Sequence, residues 1–420
     1  MSDTARRTSS LRHAQALVGA GLADASMARL VDAVTHLQGG VAAADNGGEK
    51  AQAARAREAL SFVRVLALGR TALGELESVA VAARAGGDAG VAVDAQTALG
   101  RAYLLVGEPA AAHEQFVQSL EWARDLRAPD ARAQALIGLG RALVALGRYG
   151  EATTSLDEGL QLARAMCEFH ATALALAGLG ESSRLQGDNA SAQQRFFQAA
   201  ELARGGPHPY PLGLALVGLG RIALDEGDPA AAQGSFDEAI GAARAGPLSY
   251  LLAPCLCGLA ALADDPATAE SMLGEGLGAA QRWGDWAGEA LAFEHLARFS
   301  RKRGDLARAT ARHRHALALR ARTGDPAAIA ASLEGLALLV ADGADASVAA
   351  RLLAAAESLR FRHGCVRPLS AVGEHEWALQ STRRMLGKQR FGVEWSQGVA
   401  MSTPSAVSLA RGATAKALDT

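Results

Sequence analysis

Residues 135–164 read ALIGLGRALVALGRYGEATTSLDEGLQLAR, and their punctuation returns every 40 residues. Gly100, Gly140, Gly180 and Gly220 hold one position, each preceded by a leucine (Leu99, Leu139, Leu179, Leu219). Seven residues on, Gly107, Gly147, Gly187 and Gly227 hold a second. Ala112, Ala152, Ala192 and Ala232 follow, and four residues later Phe116, Leu156, Phe196 and Phe236. An Ala-Arg pair closes each unit at Arg124, Arg164, Arg204 and Arg244. A strict period of this length marks a repeat array, so the molecule must be read as stacked copies of one supersecondary unit.

Inside one unit the physics is that of a helical hairpin. Leu136, Leu139, Leu143 and Leu146 recur at three- and four-residue steps and so share one helix face. Gly147 ends that helix, because glycine takes the left-handed cap conformation cheaply. Ala152, Leu156, Gly159, Leu160 and Ala163 then line one side of a second helix. Glycine inside a helix costs roughly 1 kcal/mol relative to alanine. Keeping one at four matching places implies close backbone contact with a neighbouring helix. The closing arginine suits the negative end of the helix dipole.

These residues resemble the tetratricopeptide repeat. Around Gly100 the match is Leu99, Gly100, Tyr103, Ala112 and Phe116, with Ser119 in place of the last alanine. Around Gly220 it is Leu216, Leu219, Gly220, Ala232, Phe236 and Ala239. The resemblance implies an all-α, right-handed superhelical solenoid of stacked antiparallel helix pairs. The 40-residue period exceeds the 34 residues usual for that repeat, so second helices or connectors are expected to be longer.

The array is expected to run over residues 51–362 in about eight units. A degenerate one keeps Val63, Ala72, Leu76 and Arg84 in register, and looser ones follow Gly220. Gly-Asp pairs punctuate the links at Gly87-Asp88, Gly284-Asp285 and Gly324-Asp325. Before the array, residues 1–50 read as a polar tail, a helical cap over Leu11–Leu37 and a flexible loop, GGVAAADNGGEK, from Gly39 to Lys50. Residues 363–401 read as capping helices bearing Trp377, Met385, Leu386, Phe391 and Trp395, and 402–420 as a flexible tail. As a quasi-one-dimensional stack, each unit is expected to contact only its neighbours.

Half of the residues are apolar and only 5% aromatic, which suits close-packed helix pairs and argues against disorder. A formal net charge of −2 predicts no bulk attraction to nucleic acid or membrane. The first ten residues lack the apolar run of a signal peptide, and no segment approaches the roughly 18 apolar residues of a membrane span. Cys167, Cys255, Cys257 and Cys365 fit a reduced, cytoplasmic protein. Cys255 and Cys257 lie two apart on one helix and diverge by about 200 degrees, so they read as core residues rather than joint metal ligands.

Towards the end, RLLAAAESLR, then Leu386-Gly387, Phe391, Trp395, Gly398 and Met401-Ser402, are similar to the terminal helical-repeat region of large ATP-binding regulators of the LuxR and AfsR type. The R-x-G-D links at Arg282–Asp285 and Arg322–Asp325 belong to the same resemblance. Those regulators also carry an ATPase module, yet no G-x-x-x-x-G-K-[ST] occurs here.

In tetratricopeptide proteins the first helix of each unit lines the concave surface, with one exposed position just after the glycine. Here that position holds Arg101, Arg141, Glu181, Arg221, Ala261, Arg298 and Leu338; three residues further come Arg64, Arg184 and Arg301. A row of guanidinium forks suits an acidic peptide or a phosphorylated ligand, although each arginine can equally pair with acids on adjacent helices. Charge is also segregated. Residues 211–297 hold 3 basic and 12 acidic side chains, and residues 298–420 hold 19 basic and 10 acidic. The dense run from Arg298 to Arg322 lacks interleaved aromatics, so it reads as a face meeting the acidic neighbour rather than a nucleic-acid surface. His295, His313 and His315 match no metal spacing, and His313 stands where the repeat has phenylalanine. No catalytic motif, cofactor site or metal site is expected. The residues point to a non-catalytic scaffold holding a protein or peptide partner in its groove. A small-molecule or peptide sensor is the second reading.

Overall fold

Many helices of this protein start at an aspartate or proline and stop at a glycine that the sequence places between them. The computed structural model describes residues 11–18, 20, 30–124, 126, 128–206, 209–245, 249–343 and 345–416. Among the described residues every regular element is helical. The Gly-Asp links divide the work of stopping and restarting. At Gly284 (φ 74°) the backbone turns left-handed, which a residue without Cβ adopts at little cost. The Asp285 side chain then accepts a hydrogen bond from the Ala287 N–H at 3.0 Å and caps the next helix. Asp88, Asp188, Asp305, Asp325 and Asp345 cap their helices in the same way.

The helices are α1 (Leu30–Gly47), α2 (Lys50–Leu68), α3 (Leu73–Ala85), α4 (Ala89–Leu105), α5 (Pro109–Ala123), α6 (Pro129–Ala145) and α7 (Tyr149–Ala165). Then come α8 (Phe169–Leu185), α9 (Asn189–Arg204), α10 (Pro209–Glu226), α11 (Pro229–Ala245), α12 (Leu252–Leu262) and α13 (Pro266–Trp283). The chain ends with α14 (Trp286–Lys302), α15 (Leu306–Thr323), α16 (Pro326–Gly343), α17 (Ala346–His363), α18 (Leu369–Val399) and α19 (Thr403–Lys416). Consecutive helices pack as antiparallel hairpins from α2/α3 to α16/α17, so the molecule is an all-α solenoid of tetratricopeptide type. None of the described helices is long and apolar enough to cross a membrane.

The repeated glycines do something more specific than bring backbones together. Phe116 of α5 is fully buried between Gly100 of α4 and Gly138 of α6, where added Cβ atoms would sit 2.9 and 2.3 Å from its ring. Leu156 lies likewise between Gly140 and Gly178, Phe196 between Gly180 and Gly218, and Phe236 between Gly220 and Gly258. Each large side chain of a second helix is therefore held by its own first helix and by that of the next unit. The expected backbone contact is realised only in part: at Gly140 the Ala152 carbonyl also lies 3.0 Å from an added Cβ. His313 is buried in the same slot against Gly335, as its phenylalanine register implies. Cys255 and Cys257 are both buried, in separate apolar clusters, because their side chains do diverge.

Three expectations need correction. The stretch from Gly39 to Lys50 is not a loop: α1 continues to Gly47, because Gly39 and Gly40 let Leu17 and Val18 of the helical residues 11–18 approach closely. Residues 403–416 are not a tail but α19, which buries Ala406, Val407 and Ala410 against the core of α16 and α17. Residues 417–420 of that expected tail, and 1–10 and 21–29 of the expected N-terminal region, lie outside the described residues. Nor does each unit touch only its neighbours. The superhelix returns on itself after about 180 residues, and the turn glycines meet the units one revolution later. Gly107 faces Ala287, Gly147 faces Pro326, and Gly187 faces Val366, whose N–H donates to the Leu185 carbonyl at 2.9 Å. Trp283 is buried among Phe62, Val65 and Leu76, and its indole N–H donates to the Leu66 carbonyl.

The glycine slots separate two kinds of helical glycine. Gly138→Ala is expected to destabilise by about 1–3 kcal/mol through overpacking against Phe116. Gly241→Ala on α11 meets open space and is expected to stabilise by up to about 1 kcal/mol. Thermal melts of the two variants should shift in opposite directions; equal shifts would mean that the slot is not tight.

Candidate functional site

Successive first helices (α4, α6, α8, α10) touch one another, whereas successive second helices make at most grazing contact. The first helices therefore form the inner layer, and the residues after the repeated glycines turn towards the axis. There the closure of the superhelix leaves three adjoining cavities. One of about 280 Å³ is lined by Leu104, Arg141, Val144, Glu181, Leu214 and Val217. A second of about 460 Å³ meets Arg184, Asp225, Arg320, Arg360, Val366 and Arg367. The third, about 340 Å³, meets Gly107, Tyr250, Asp285, Ala287, Leu291 and Arg320. Arg221 and Asp325 line all three and so mark the middle of one axial chamber.

The seven arginines singled out in the sequence do not form one continuous row. Arg141, Arg184 and Arg221 line the chamber. Arg101 faces a separate cavity with Arg141, Asp130, Glu168 and His170, and its guanidinium lies 4.4 Å from the centre of the Phe62 ring. One terminal nitrogen of Arg64 donates to both carboxylate oxygens of Glu75, at 2.7 and 2.8 Å. Arg298 bonds Glu294 at 2.6 Å, and Arg301 pairs with Glu374. Leu338, in register with the inner arginines, is buried rather than exposed, because α18 and α19 cover the last units. The basic run from Arg298 meets the acidic segment before it: Arg303 lies 3.4 Å from Glu270, and Arg320 and Arg298 share Glu294.

Within the chamber the charges are unevenly spent. Glu181 is engaged by Arg184 through two hydrogen bonds of 2.7 and 2.9 Å. Burial pushes its carboxyl up, but Arg184 overrides this and holds it below the usual carboxylate range. Arg221 reaches the same carboxylate only as a looser ion pair, at 3.7 Å. Burial draws the Arg221 guanidinium below its ordinary value, yet it stays cationic. Arg320 is committed to Glu294, the Ala328 carbonyl and Ser332. Arg360 and Arg367 are committed to Glu334. Arg141 donates to the Tyr210 hydroxyl and leans on its ring, and Tyr210, Tyr250 and Trp283 continue as an aromatic wall with centroids 5.7 and 4.9 Å apart. The buried Tyr250 hydroxyl meets no hydrogen-bond partner among the described residues. None of the described residues form a group able to hold a metal ion.

Sequence reading passed over Asp325, Asp285, Arg320, Arg360 and Arg367. The aspartates were visible as link punctuation, but their place on the axis follows from the superhelical return. The only linear hint was the Gly-Asp pairing itself. Burial raises the Asp285 carboxyl to about 6, against the N–H groups of Gly288 and Ala287 that it accepts from. A carboxyl raised by folding favours the folded state while protonated, and that contribution is lost as pH climbs from about 4 through about 6. Asp285→Asn keeps a capping oxygen and removes the buried charge. It is expected to be more stable than the parent at pH 8, by up to about 3 kcal/mol, with the advantage gone near pH 4. Melting curves of both proteins across that range check the sign.

By sequence, residues 133–166 match the tetratricopeptide repeat family, and no curated protein matches the chain. Among solved structures, the chain is similar to a Rap protein complexed with Competence and Sporulation Factor, with a TM-score of 0.50 and 13% identity, covering 76% of this chain and 98% of that one. BtubC (BKLC) from P. vanneervenii overlaps with a TM-score of 0.36 and 19% identity, over 58% of this chain and 94% of that one. The repeat match and the first of these structures agree with the architecture described above: a tetratricopeptide-type helical-repeat protein.

Proposed function

We propose that this protein is a non-catalytic binding module that takes an acid-bearing segment of a protein or peptide partner into its axial chamber, in bacterial regulation or signalling. The observation that carries the proposal is the state of Arg221. It lines all three cavities, and the carboxylate nearest to it already accepts two hydrogen bonds from Arg184. Its planar fork is left to offer parallel donors to an incoming carboxylate. The buried Tyr250 hydroxyl adds a second donor at the edge of the same space. The regulatory setting rests on the sequence resemblance to LuxR- and AfsR-type regulators and on a structural neighbour solved as a complex with Competence and Sporulation Factor.

A small-molecule or peptide sensor is the second reading, favoured by cavity volumes that fall in the range of ligand pockets rather than of an open groove. A thermal-shift screen of anionic metabolites addresses it, since a tight ligand of the folded state raises Tm by mass action.

Two single variants test the leading reading. With a partner recovered by pull-down on the full chain, Arg221→Gln is expected to lower affinity by about 10- to 100-fold, the range of a charge-assisted bond, while shifting Tm little. Arg101→Gln is expected to do the reverse, because its guanidinium stacks on Phe62 beside the half-buried Glu58. If affinity survives Arg221→Gln, the chamber is not the binding site.

A further inference from the structure

The two superhelical turns meet along a seam whose ends are built from different materials. At Gly147 the partner is the Pro326 ring, and at Gly187 it is Val366, held by a backbone hydrogen bond. These contacts are largely apolar or main-chain, although the His363 imidazole also lies beside Gly147 and the Ser370 hydroxyl donates to Asp225 nearby at 2.8 Å. At the other end the link is cationic. The guanidinium of Arg70, in the 3₁₀ turn Gly69–Ala72, lies 3.4 Å from the centre of the Trp286 indole, and that of Arg322 lies 3.5 Å from the same centre. Two guanidiniums cannot share one face at that distance, so they clasp the ring from opposite sides. Arg70 also bonds the Gly284 carbonyl at 3.0 Å, the Val106 carbonyl at 2.5 Å and Glu108, which ties both banks of the seam through one side chain. Trp286 is half-buried and Arg322 exposed, so water reaches this clasp.

The clasp stands next to the chamber. Asp285, Ala287 and Gly288 on one bank and Gly107 and Pro109 on the other line the third cavity. That cavity is already partly open to solvent, and where these banks part its mouth widens. We propose that the seam between the superhelical turns is the gate of the axial chamber, with the Arg70–Trp286–Arg322 stack as its latch. The latch suits the ligand class proposed above, and this part rests on that reading. Arg70 is committed to Glu108 and two carbonyls, but an acid-bearing segment offers the exposed Arg322 guanidinium a stronger, bidentate partner than an indole face, so approach of the ligand itself favours release of that half of the stack. The apolar contacts at Gly147 and Gly187 remain closed and serve as the hinge.

Hydrogen exchange on the full chain reads the gate without any ligand, so its outcome is independent of the Arg221 binding test. Arg322→Gln removes an exposed group, and Trp286→Leu keeps bulk while deleting the ring quadrupole. Both variants are expected to speed exchange about two- to fivefold on both banks, over residues 66–73 and 105–108 on one and 280–292 on the other, the factor set by loss of one partly exposed cation–π contact. Amides around Gly147 and Leu185 should exchange as slowly as in the parent. Unchanged exchange on the banks overturns the latch. Equal acceleration at Gly147 and Leu185 overturns the gate, because the stack would then be a general support of the fold.

Discussion

The structure depends on one steric arrangement repeated along the four regular units: a large side chain from the second helix inserted between two glycines of flanking first helices. Two helical glycines cost about 2 kcal/mol relative to alanine. Full burial of a phenylalanine ring returns about 1.5–3 kcal/mol, and its ring contacts with both helices add to that. The exchange is therefore close to neutral in stability, but it sets geometry. Phe116, Phe196 and Phe236 each fix the distance between one unit and the next, because no other residue at positions 138, 218 or 258 leaves room for the ring. Repetition of one fixed step generates a superhelix of fixed curvature.

That curvature has a consequence that neighbour-to-neighbour packing lacks. After about four and a half units the inner layer returns above its own start, and the turn glycines of the first revolution become sockets for the second. Gly107, Gly147 and Gly187 do double service, ending a helix and admitting a neighbour from one revolution away. The array therefore wraps around a partly open axial chamber. Charges that would be solvated on an open surface are brought together there, and most of them neutralise one another. Arg320 with Glu294 and Arg360 with Glu334 hold helices together as buried pairs. Breaking such a pair leaves an uncompensated buried charge, so these arginines are poor candidates for ligand contacts. Arg221 differs because its acid is already taken.

The same reasoning explains why equivalent positions in a repeat are not equivalent in the fold. Arg101, Arg141 and Arg221 share a register on the inner helices α4, α6 and α10, yet Arg101 stacks on Phe62, Arg141 on Tyr210, and only Arg221 lines all three cavities of the chamber. Phe62 comes from the degenerate first unit, and Tyr210 stands near the start of α10 at a position the repeat leaves free, held by Gly90, Asp130 and His170 in the other regular units.

What the sequence determined by itself is the local grammar. The spacing of Gly140, Gly147, Ala152 and Leu156 is sufficient for a helix, a left-handed stop and a second helix, because each signal acts within a few residues. The Gly-Asp links were legible for the same reason, as was the phenylalanine register of His313. Helix α1 through Gly39–Gly40 and helix α19 were not legible, since their stability comes from residues distant in the chain: Leu17 and Val18 in one case, the core of α16 and α17 in the other. The chamber was also beyond linear reading. Asp325 and Arg221 lie 104 positions apart, and Gly107 and Ala287 lie 180 apart. Small angular steps accumulated over several units decide which of these meet, and no local propensity encodes that sum.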